Sequence, residues 1–522
     1  MTETLLTAVV LLAVVGVVSG VARRTGLLAP ILLVAVGIGM SYLPFAPKIR
    51  LDPELVLEAI LPLLLYAAAI QVSVPAFKAL LRPIAMLAFG HVWFITAVVG
   101  LVLHAVVPVV PLAAAFALGA IVSPPDAVAA TSIARRLQLP RRVVTILEGE
   151  SLINDATALV TLRAAVAGAT GLALTWADAG REFAVASVGG LLIGGVVGFV
   201  AAWLHRLTDD PLLDNTLSIL TPFLAFVPAG YVGASGVVAV VVCGLYVGHK
   251  RPSLMGAASR LQMDAFWAVT QFLLEGVVFL LVGLQIRSIV DGLSYAWSTV
   301  ALSTVVVVLI VVLGRFMWVF PAAYAPFLLP QLRAHEAVPP LSSAAVVSWA
   351  GMRGVVSLAA ASSLPLGFPA RDLLVWITFV VIVATLVGQG LTLPWFAHLL
   401  RLPRDDRQAD LLAEAEVRQE AFRAAERTLA ERAGDAPDYV VRRLRQWAED
   451  RANQVWERLG DPTREPPSEA FRRLRRAMIE AERAVFLDAR NAGRIPDEVR
   501  NQVEHEQDLE ELMLARGRED EV

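Results

Sequence analysis

The stretch Gly119–Val160, GAIVSPPDAVAATSIARRLQLPRRVVTILEGESLINDATALV, places prolines and acids inside two apolar segments. The first segment is interrupted by Ser123-Pro124-Pro125-Asp126, and the second contains Glu148, Glu150 and Asp155. Charged side chains inside a bilayer are costly and usually mark an ion or proton path. A broken backbone is tolerated at membrane depth only where protein buries it or water reaches it. The stretch therefore predicts an intramembrane ion site.

The composition separates a membrane domain from a polar tail. The chain has 522 residues, of which 57% are hydrophobic, and its mean hydropathy is +0.65. The apolar residues form blocks of about 20, the length that spans a bilayer. Residues 401–522 contain 23 Arg, no Lys and 29 acids, which leaves 21 basic and 18 acidic residues before them. We predict a transmembrane domain at 1–403 and a cytoplasmic helical domain at 404–522. The net charge of −3 argues against nucleic-acid binding.

Thirteen apolar segments are present, at 4–22, 27–45, 55–72, 83–108, 112–134, 142–169, 182–204, 214–231, 235–249, 266–287, 294–319, 340–363 and 373–400. With the N-terminus outside, the cytoplasmic loops contain thirteen basic residues and the outer loops contain five. Cytoplasmic loops carry an excess of Lys and Arg. The pattern predicts a multi-pass protein of the inner (plasma) membrane, with its N-terminus outside and its tail in the cytoplasm.

A second interruption lies in the twelfth segment, at Trp349-Ala-Gly-Met-Arg353-Gly-Val-Val-Ser357. It follows the first interruption by seven segments, so the two broken segments run in opposite directions through the membrane. Interrupted segments in inverted positions indicate a transporter built from inverted repeats, with its site at the midplane. The fold class predicted is all-α, with about 13 transmembrane helices, of which two are discontinuous.

Asp126 follows two prolines that supply no backbone N–H, so carbonyls one turn earlier lose their helical partners. Those carbonyls could coordinate a cation, and the half-helix after the break turns its positive end toward the carboxylate. The alternative interpretation is a plain kink in which Asp126 caps the second half-helix.

Asp155 and Asn154 lie in the middle of the sixth segment, and Ser151 shares a helix face with Asp155. Hard cations prefer carboxylate, hydroxyl and carbonyl oxygens. Burial favours the neutral form of a carboxylate, so one site can hold either a proton or a cation. The pattern predicts that the two ions compete for Asp155. The alternative is a structural acid that is satisfied by hydrogen bonds.

Two further intramembrane acids have other predicted roles. A lone arginine at membrane depth should be paired, and Glu150 is the predicted partner of Arg353 in a structural ion pair. Glu275, in the tenth segment, is predicted either to line a cytoplasmic funnel or to pair with a basic group such as Arg315. No phosphate-binding loop or Cys/His metal motif occurs, so no cofactor, ATP-driven pumping or enzyme activity is expected.

Four motifs together carry a family resemblance: SPPDAVA, GESLINDATALV, FLLEGVVFLLVGLQI and GMRGVVSLA, in this order over roughly residues 5–400. They resemble the monovalent cation/proton antiporters of the sodium/proton exchanger type, in particular the bacterial NhaP-like branch. The resemblance implies thirteen helices, two crossing broken helices in a six-helix core, a dimerisation domain and elevator-like alternating access. It also implies a homodimer in contact with membrane lipids.

The resemblance assigns roles residue by residue. Asp155 corresponds to the ion- and proton-binding acid, Asp126 and the Pro125 backbone to the unwound part of the site, and Ser151 to a ligand hydroxyl. Asn154 corresponds to the asparagine that accompanies electroneutral exchange, and Glu150 and Arg353 to the structural ion pair. Na⁺ or K⁺ would thus bind at Asp155, Asp126 and Ser151.

Two positions depart from the family pattern. Pro125 replaces a threonine of many relatives, so it keeps the carbonyl and removes a hydroxyl. Ala67 stands where some archaeal relatives have a third carboxylate, so one oxygen ligand is absent.

The predicted function is exchange of cytoplasmic Na⁺ for external protons, one for one. A potassium/proton antiporter of the same fold is the alternative, and an ion channel or a membrane sensor are more remote ones. The tail, with about four helices, is interpreted either as a solvated extension or as a dimerising or pH-sensing regulatory domain.

Overall fold

All regular secondary structure in the residues that the structure describes is helical. The structure is a computed structural model, and it describes residues 2–44, 52–170, 176–331, 338–402, 405–434, 436–458 and 465–519. Lys48, Arg50 and Arg333, which contribute to the predicted loop charges, lie outside the described residues. The chain divides into two units, Met1–Arg404 and Asp405–Val522.

The helices of the first unit are α1 (Thr2–Thr25), α2 (Ala29–Ser41), α3 (Leu61–Ala69), α4 (Val74–Ala79), α5 (Leu81–Ala85), α6 (Val92–Val106), α7 (Leu112–Val122), α8 (Ala127–Arg136), α9 (Arg141–Ala169), α10 (Trp176–His205), α11 (Pro211–Tyr231), α12 (Gly236–Leu254), α13 (Ala257–Leu284), α14 (Ile286–Asp291), α15 (Trp297–Tyr324), α16 (Leu341–Trp349), α17 (Val355–Ser362) and α18 (Arg371–Leu399). Short π-helical segments, Leu55–Ile60 and Met86–His91, precede α3 and α6. A 3-10 turn, Ala325–Leu328, follows α15.

Eight helical stretches among the described residues are long and apolar enough to cross a membrane, at Leu5–Thr25, Leu81–Val106, Arg141–Ala169, Gly180–His205, Pro211–Tyr231, Ala257–Asp291, Trp297–Leu328 and Arg371–Leu399. Three shorter apolar helical stretches are Ala29–Ser41, Leu55–Ala69 and Leu112–Val122. The interrupted segments are missing from the longer set because each consists of two half-helices. The chain is therefore an integral membrane protein, and the regular structure of its described residues is helical.

Both helix interruptions are surrounded by buried apolar side chains. One core cluster contains Ile121 of α7, Leu358 of α17 and Ile382 of α18, so the two half-helices and α18 share one apolar environment. A second cluster contains Tyr66 of α3 and Trp267 of α13, whose ring centroids are 5.4 Å apart. The interrupted helices are thus held within protein, as a broken backbone at membrane depth requires.

Helices α2 and α13 approach so closely that their backbones touch. A Cβ atom added to Gly37 would clash with the carbonyl oxygen of Leu280 and lie 3.0 Å from Cα of Gly283. A Cβ atom on Gly283 would in turn clash with the carbonyl oxygen of Val34. Small residues permit such contacts between membrane helices, where van der Waals packing replaces the hydrophobic effect.

The second unit contains the helices α19 (Arg407–Arg432), α20 (Asp438–Arg458), α21 (Pro467–Asn491) and α22 (Asp497–Glu519). Arg475 of α21 donates hydrogen bonds of 2.6 and 2.7 Å to Glu510 of α22 and one of 2.8 Å to Glu482. The two bonds to Glu510 hold the pKa of that carboxyl below its usual range, because the guanidinium stabilises the ionised carboxylate. Charged pairs therefore join α21 to α22.

The contact between α2 and α13 gives a prediction about stability. Gly37→Ala should lower the free energy of unfolding by about 1–3 kcal/mol, because the added methyl group has no room against backbone atoms. Gly39→Ala, on the same helix, meets no atom within 4 Å and should be neutral or stabilising by up to about 1 kcal/mol. Thermal unfolding of the detergent-solubilised protein measures the difference, and equal melting temperatures would contradict it.

Candidate functional site

The two interruptions meet at their backbones. Helix α7 ends at Val122 and α8 begins at Ala127, while α16 ends at Trp349 and α17 begins at Val355. Across the gap, the N–H of Asp126 donates a hydrogen bond of 2.7 Å to the carbonyl of Met352. Residues 226 positions apart are thus joined where neither segment is helical.

Arg353 binds the open end of α7. Its guanidinium is fully buried and donates to the carbonyls of Val122 at 2.9 Å, Ser123 at 3.2 Å and Gly351. The carbonyls at a helix C-terminus lack intrahelical partners and carry partial negative charge. A buried cation that donates to three carbonyls therefore compensates for the break in α7.

Glu150 pairs with Arg315 rather than with Arg353, which corrects the predicted ion pair. Nη1 and Nη2 of Arg315 each lie 2.7 Å from one carboxylate oxygen of Glu150, and both side chains are fully buried. Nε of Arg315 donates to the carbonyl of Val347 at 3.0 Å. The bidentate geometry occupies both oxygens of Glu150, while Arg353 is directed at backbone carbonyls. The suggested pairing of Glu275 with Arg315 is wrong for the same reason.

The sequence signal for Arg315 is the same as that for Arg353, because Arg315 lies in the apolar segment 294–319 at the same cost. Two arginines at membrane depth left the partner of Glu150 ambiguous. Motif resemblance favoured Arg353, whereas the packing of α15 against α16 brings Arg315 to the carboxylate.

The glycines on either side of Arg353 allow this packing. A Cβ atom on Gly354 would lie 2.5 Å from Cγ of Asp126, and one on Gly351 would clash with the side chain of Arg315. Any larger residue at either position would separate the two interruptions or displace an arginine. The GMRG motif therefore reflects steric need as well as charge.

Two side chains of α9 hold the broken segment through one carbonyl. Oγ of Ser151 and Nδ2 of Asn154 donate to the carbonyl oxygen of Pro125 at 3.2 and 2.9 Å. A carbonyl oxygen has two lone pairs, so both are engaged. The fully buried Oδ1 of Asn154 accepts no hydrogen bond from the described residues. Ser151, Asn154 and Pro125 thus form one connected unit, and their cation-binding roles stay a prediction.

A cavity of about 650 Å³ adjoins the interruptions. Asp126, Asp155, Ser151 and Pro125 line it together with Glu275 of α13. The cavity also reaches the largely exposed side chain of Arg135, which lies 2.8 Å from Glu148. The carboxylates of Asp126, Asp155 and Glu275 thus face, with the hydroxyl of Ser151, a space that communicates with solvent. Carboxylate and hydroxyl oxygens are the donors that a hard monovalent cation prefers.

Glu275 accepts a hydrogen bond of 2.6 Å from Gln271, one helical turn earlier on α13. Both side chains line the cavity. The acid therefore has a neutral partner, and it faces the same space as Asp155 from a different helix.

Ala67, the predicted position of the absent third carboxylate, is buried and is not among the residues that line the cavity. From α3 and the turn that follows, the lining residues are Leu61, Leu64, Leu65, Ala68, Gln71 and Val72. The position on α3 that lies closest in sequence and faces the cavity is Ala68. No side chain of α3 supplies a carboxylate there.

The chain is similar to known proteins over most of its length. The family described as "Sodium/hydrogen exchanger, transmembrane" matches residues 9–399. An uncharacterized Na(+)/H(+) exchanger of Mycobacterium tuberculosis is 35% identical over 97% of this chain and 95% of its own length. A sodium, potassium, lithium and rubidium/H(+) antiporter of Bacillus pumilus is 30% identical over 82% of this chain and 66% of its own length.

The chain also has the fold of solved structures. The sodium proton antiporter MjNhaP1 from Methanocaldococcus jannaschii matches 76% of this chain and 99% of its own with a TM-score of 0.59. The sequences are 19% identical, so this likeness concerns the fold.

Loss of the buried Glu150–Arg315 pair should destabilise the protein more than loss of a surface ion pair. Arg315→Gln should destabilise the protein by about 3–5 kcal/mol, because it leaves the carboxylate of Glu150 buried without its partner. Arg135→Gln removes the exposed partner of Glu148 and should cost less than about 1 kcal/mol. Thermal unfolding in detergent compares the two, and a double variant with Glu150→Gln should recover part of the loss. Equal melting temperatures for the two single variants would exclude the assigned role.

Proposed function

Because this chain belongs to the sodium/hydrogen exchanger family of monovalent cation/proton antiporters, we propose that it exchanges cytoplasmic Na⁺ for external protons, one for one. Both ions compete for Asp155. The observation that carries the proposal is the presence of Asp155 and Asp126 in one solvent-connected cavity where two helix interruptions meet.

Competition follows from the electrostatics of the site. A carboxylate at membrane depth is costly as a free charge, and either a proton or a bound cation removes that cost. When Na⁺ binds, the proton must leave, and when a proton binds, the cation must leave. Exchange of the two ions therefore requires no further energy source than their gradients.

Asn154 supports electroneutral exchange. Its amide is neutral and holds the carbonyl of Pro125, so α9 contributes one titratable carboxylate at this level, Asp155. We propose Asp126 and Ser151 as the companion ligands and the Pro125 carbonyl as a backbone ligand. For a cation to reach that carbonyl, Ser151 or Asn154 must release its hydrogen bond.

Potassium is the alternative substrate. The relative from Bacillus pumilus bears the name of an antiporter of sodium, potassium, lithium and rubidium. No acid of α3 lines the present cavity, so the site has fewer charged ligands with which to distinguish Na⁺ from the larger K⁺. Broad cation use is therefore compatible with the donor set.

The proposed architecture has thirteen spans in inverted repeats, with crossing interrupted helices and elevator-like alternating access. We place the N-terminus outside and the tail in the cytoplasm of the inner membrane, and propose a homodimer embedded in lipid. The positive-inside bias supports the orientation. In this orientation, the rim of the large cavity at Arg23, Arg135 and Glu148 faces the cytoplasm. Glu275 then lines the cytoplasmic funnel and attracts cations toward Asp155.

Asp155→Asn tests the proposed site. The variant should lose Na⁺-driven proton movement, because an amide neither releases a proton nor balances a cation, while its melting temperature stays near that of the wild type. Proteoliposomes with an internal pH dye, driven in turn by Na⁺, K⁺ and Li⁺, measure this loss and the cation preference. Asp264→Asn, at an exposed acid outside the cavity, is the control and should retain transport. Undiminished exchange by Asp155→Asn would show that Asp155 is not the exchange site. Single-channel currents in the wild type would instead favour an ion channel.

A truncation distinguishes a transporter from a membrane sensor. A chain that ends at Arg404, the boundary of the first unit, should still exchange Na⁺ for protons, because the residues of the proposed site all lie before it. The same proteoliposome assay measures the rate as a function of pH. A properly folded truncated chain without any exchange would show that the second unit is part of the transport machinery.

A further inference from the structure

A second, small cavity of about 10 Å³ lies beside Asp155. Its lining includes Ala158 and Leu162, which follow Asp155 on α9, and Ala360 of α17. The large cavity instead reaches Glu148, which precedes Asp155 on the same helix. The two cavities therefore lie toward opposite ends of α9, with Asp155 between them.

Four residues line both cavities, and they form the partition between them: Pro124, Asp155, Val356 and Ser357. Two of these have polar side chains, Asp155 and Ser357. Proline and valine offer a cation no side-chain oxygen. An ion that moves between the two cavities thus meets one carboxylate and one hydroxyl.

Ser357 is buried in the first turn of α17, directly after the second interruption. Its side chain lines both cavities, whereas Oγ of Ser348, on α16, donates to the carbonyl of Ala344 at 2.8 Å. A hydroxyl oxygen has two lone pairs that can accept a hydrogen bond or bind a cation. The lone pairs of the Ser357 hydroxyl are therefore available to a cation in the partition.

We propose that the hydroxyl of Ser357 is a further ligand of the transported cation and faces the ion from the second interruption while Asp155 holds it from α9. The inference rests on the proposed antiport at Asp155 and adds a neutral ligand to it. Because the large cavity has no acid from α3, a neutral oxygen here replaces part of the hydration that the cation loses.

A neutral ligand affects the two substrates differently. A serine hydroxyl does not titrate in the physiological range, so its loss weakens the binding of the cation and leaves the binding of the proton to Asp155 unchanged. Protons then displace the cation at a lower proton concentration. The acid limb of the pH profile must therefore move to higher pH, an effect that a merely structural serine would not produce.

Ser357→Ala, measured in proteoliposomes, tests the proposal. The Na⁺ concentration for half-maximal exchange should rise about tenfold, the effect of losing one hydrogen-bond-sized interaction with a charged group. The maximal rate should stay within about twofold, and the acid limb should move up by about one pH unit, since a tenfold change in competition is one unit. Ser357→Thr, which keeps the hydroxyl, should restore both values, and Ser348→Ala is the matched control on the other half-helix.

Three outcomes would exclude the role of Ser357, and a fourth would reject the antiport itself. If Ser357→Ala has the same half-saturating Na⁺ concentration and pH profile as Ser348→Ala, the hydroxyl is not a ligand. A lower maximal rate with unchanged half-saturation would likewise overturn the proposal. Should Ser357→Ala be unstable, Ser357→Cys keeps the volume with a poor ligand for a hard cation, and an unchanged Na⁺ response would again exclude the role. Failure of the wild type to exchange ions would instead reject the proposed antiport.

Discussion

The buried guanidinium of Arg353 is the group on which the interrupted helices depend. A broken helix presents carbonyls without partners, and a buried arginine presents donors without partners, so each alone would be costly at membrane depth. In this chain the carbonyls of Val122 and Ser123 receive those donors. The two costs offset each other, and the interruptions stay fixed against one another while Asp126 is held beside Gly354.

The second buried arginine, Arg315, binds only one of the two buried acids of α9. Arg315 saturates Glu150 within protein, so that this carboxylate is fixed and takes no part in the cavity. Asp155, five residues later, lies on a different face of the helix and lines both cavities. One helix therefore combines a structural acid with an exchangeable one, because neighbouring helices supply different surroundings on its two sides.

The family and the interruptions could be predicted from the sequence because they rest on local signals: prolines, glycines and acids in apolar segments. The resemblance to sodium/proton exchangers is confirmed by the family match. The partner of Glu150 could not be predicted, because both Arg315 and Arg353 lie at membrane depth and each therefore requires a partner. Only the packing of α15 shows that Arg315 binds Glu150. Ser357 was missed because a single serine in an apolar helix is unremarkable until the cavities on both sides are known.

The depth of the large cavity has an electrical consequence. Solvent in the large cavity is conductive, so the potential of the adjoining aqueous phase extends inward to Asp155. The transmembrane voltage must then fall across the protein on the far side of Asp155, over a distance shorter than the full hydrocarbon thickness of about 30 Å. A cation that enters this cavity therefore reaches Asp155 after crossing only a small part of the membrane field.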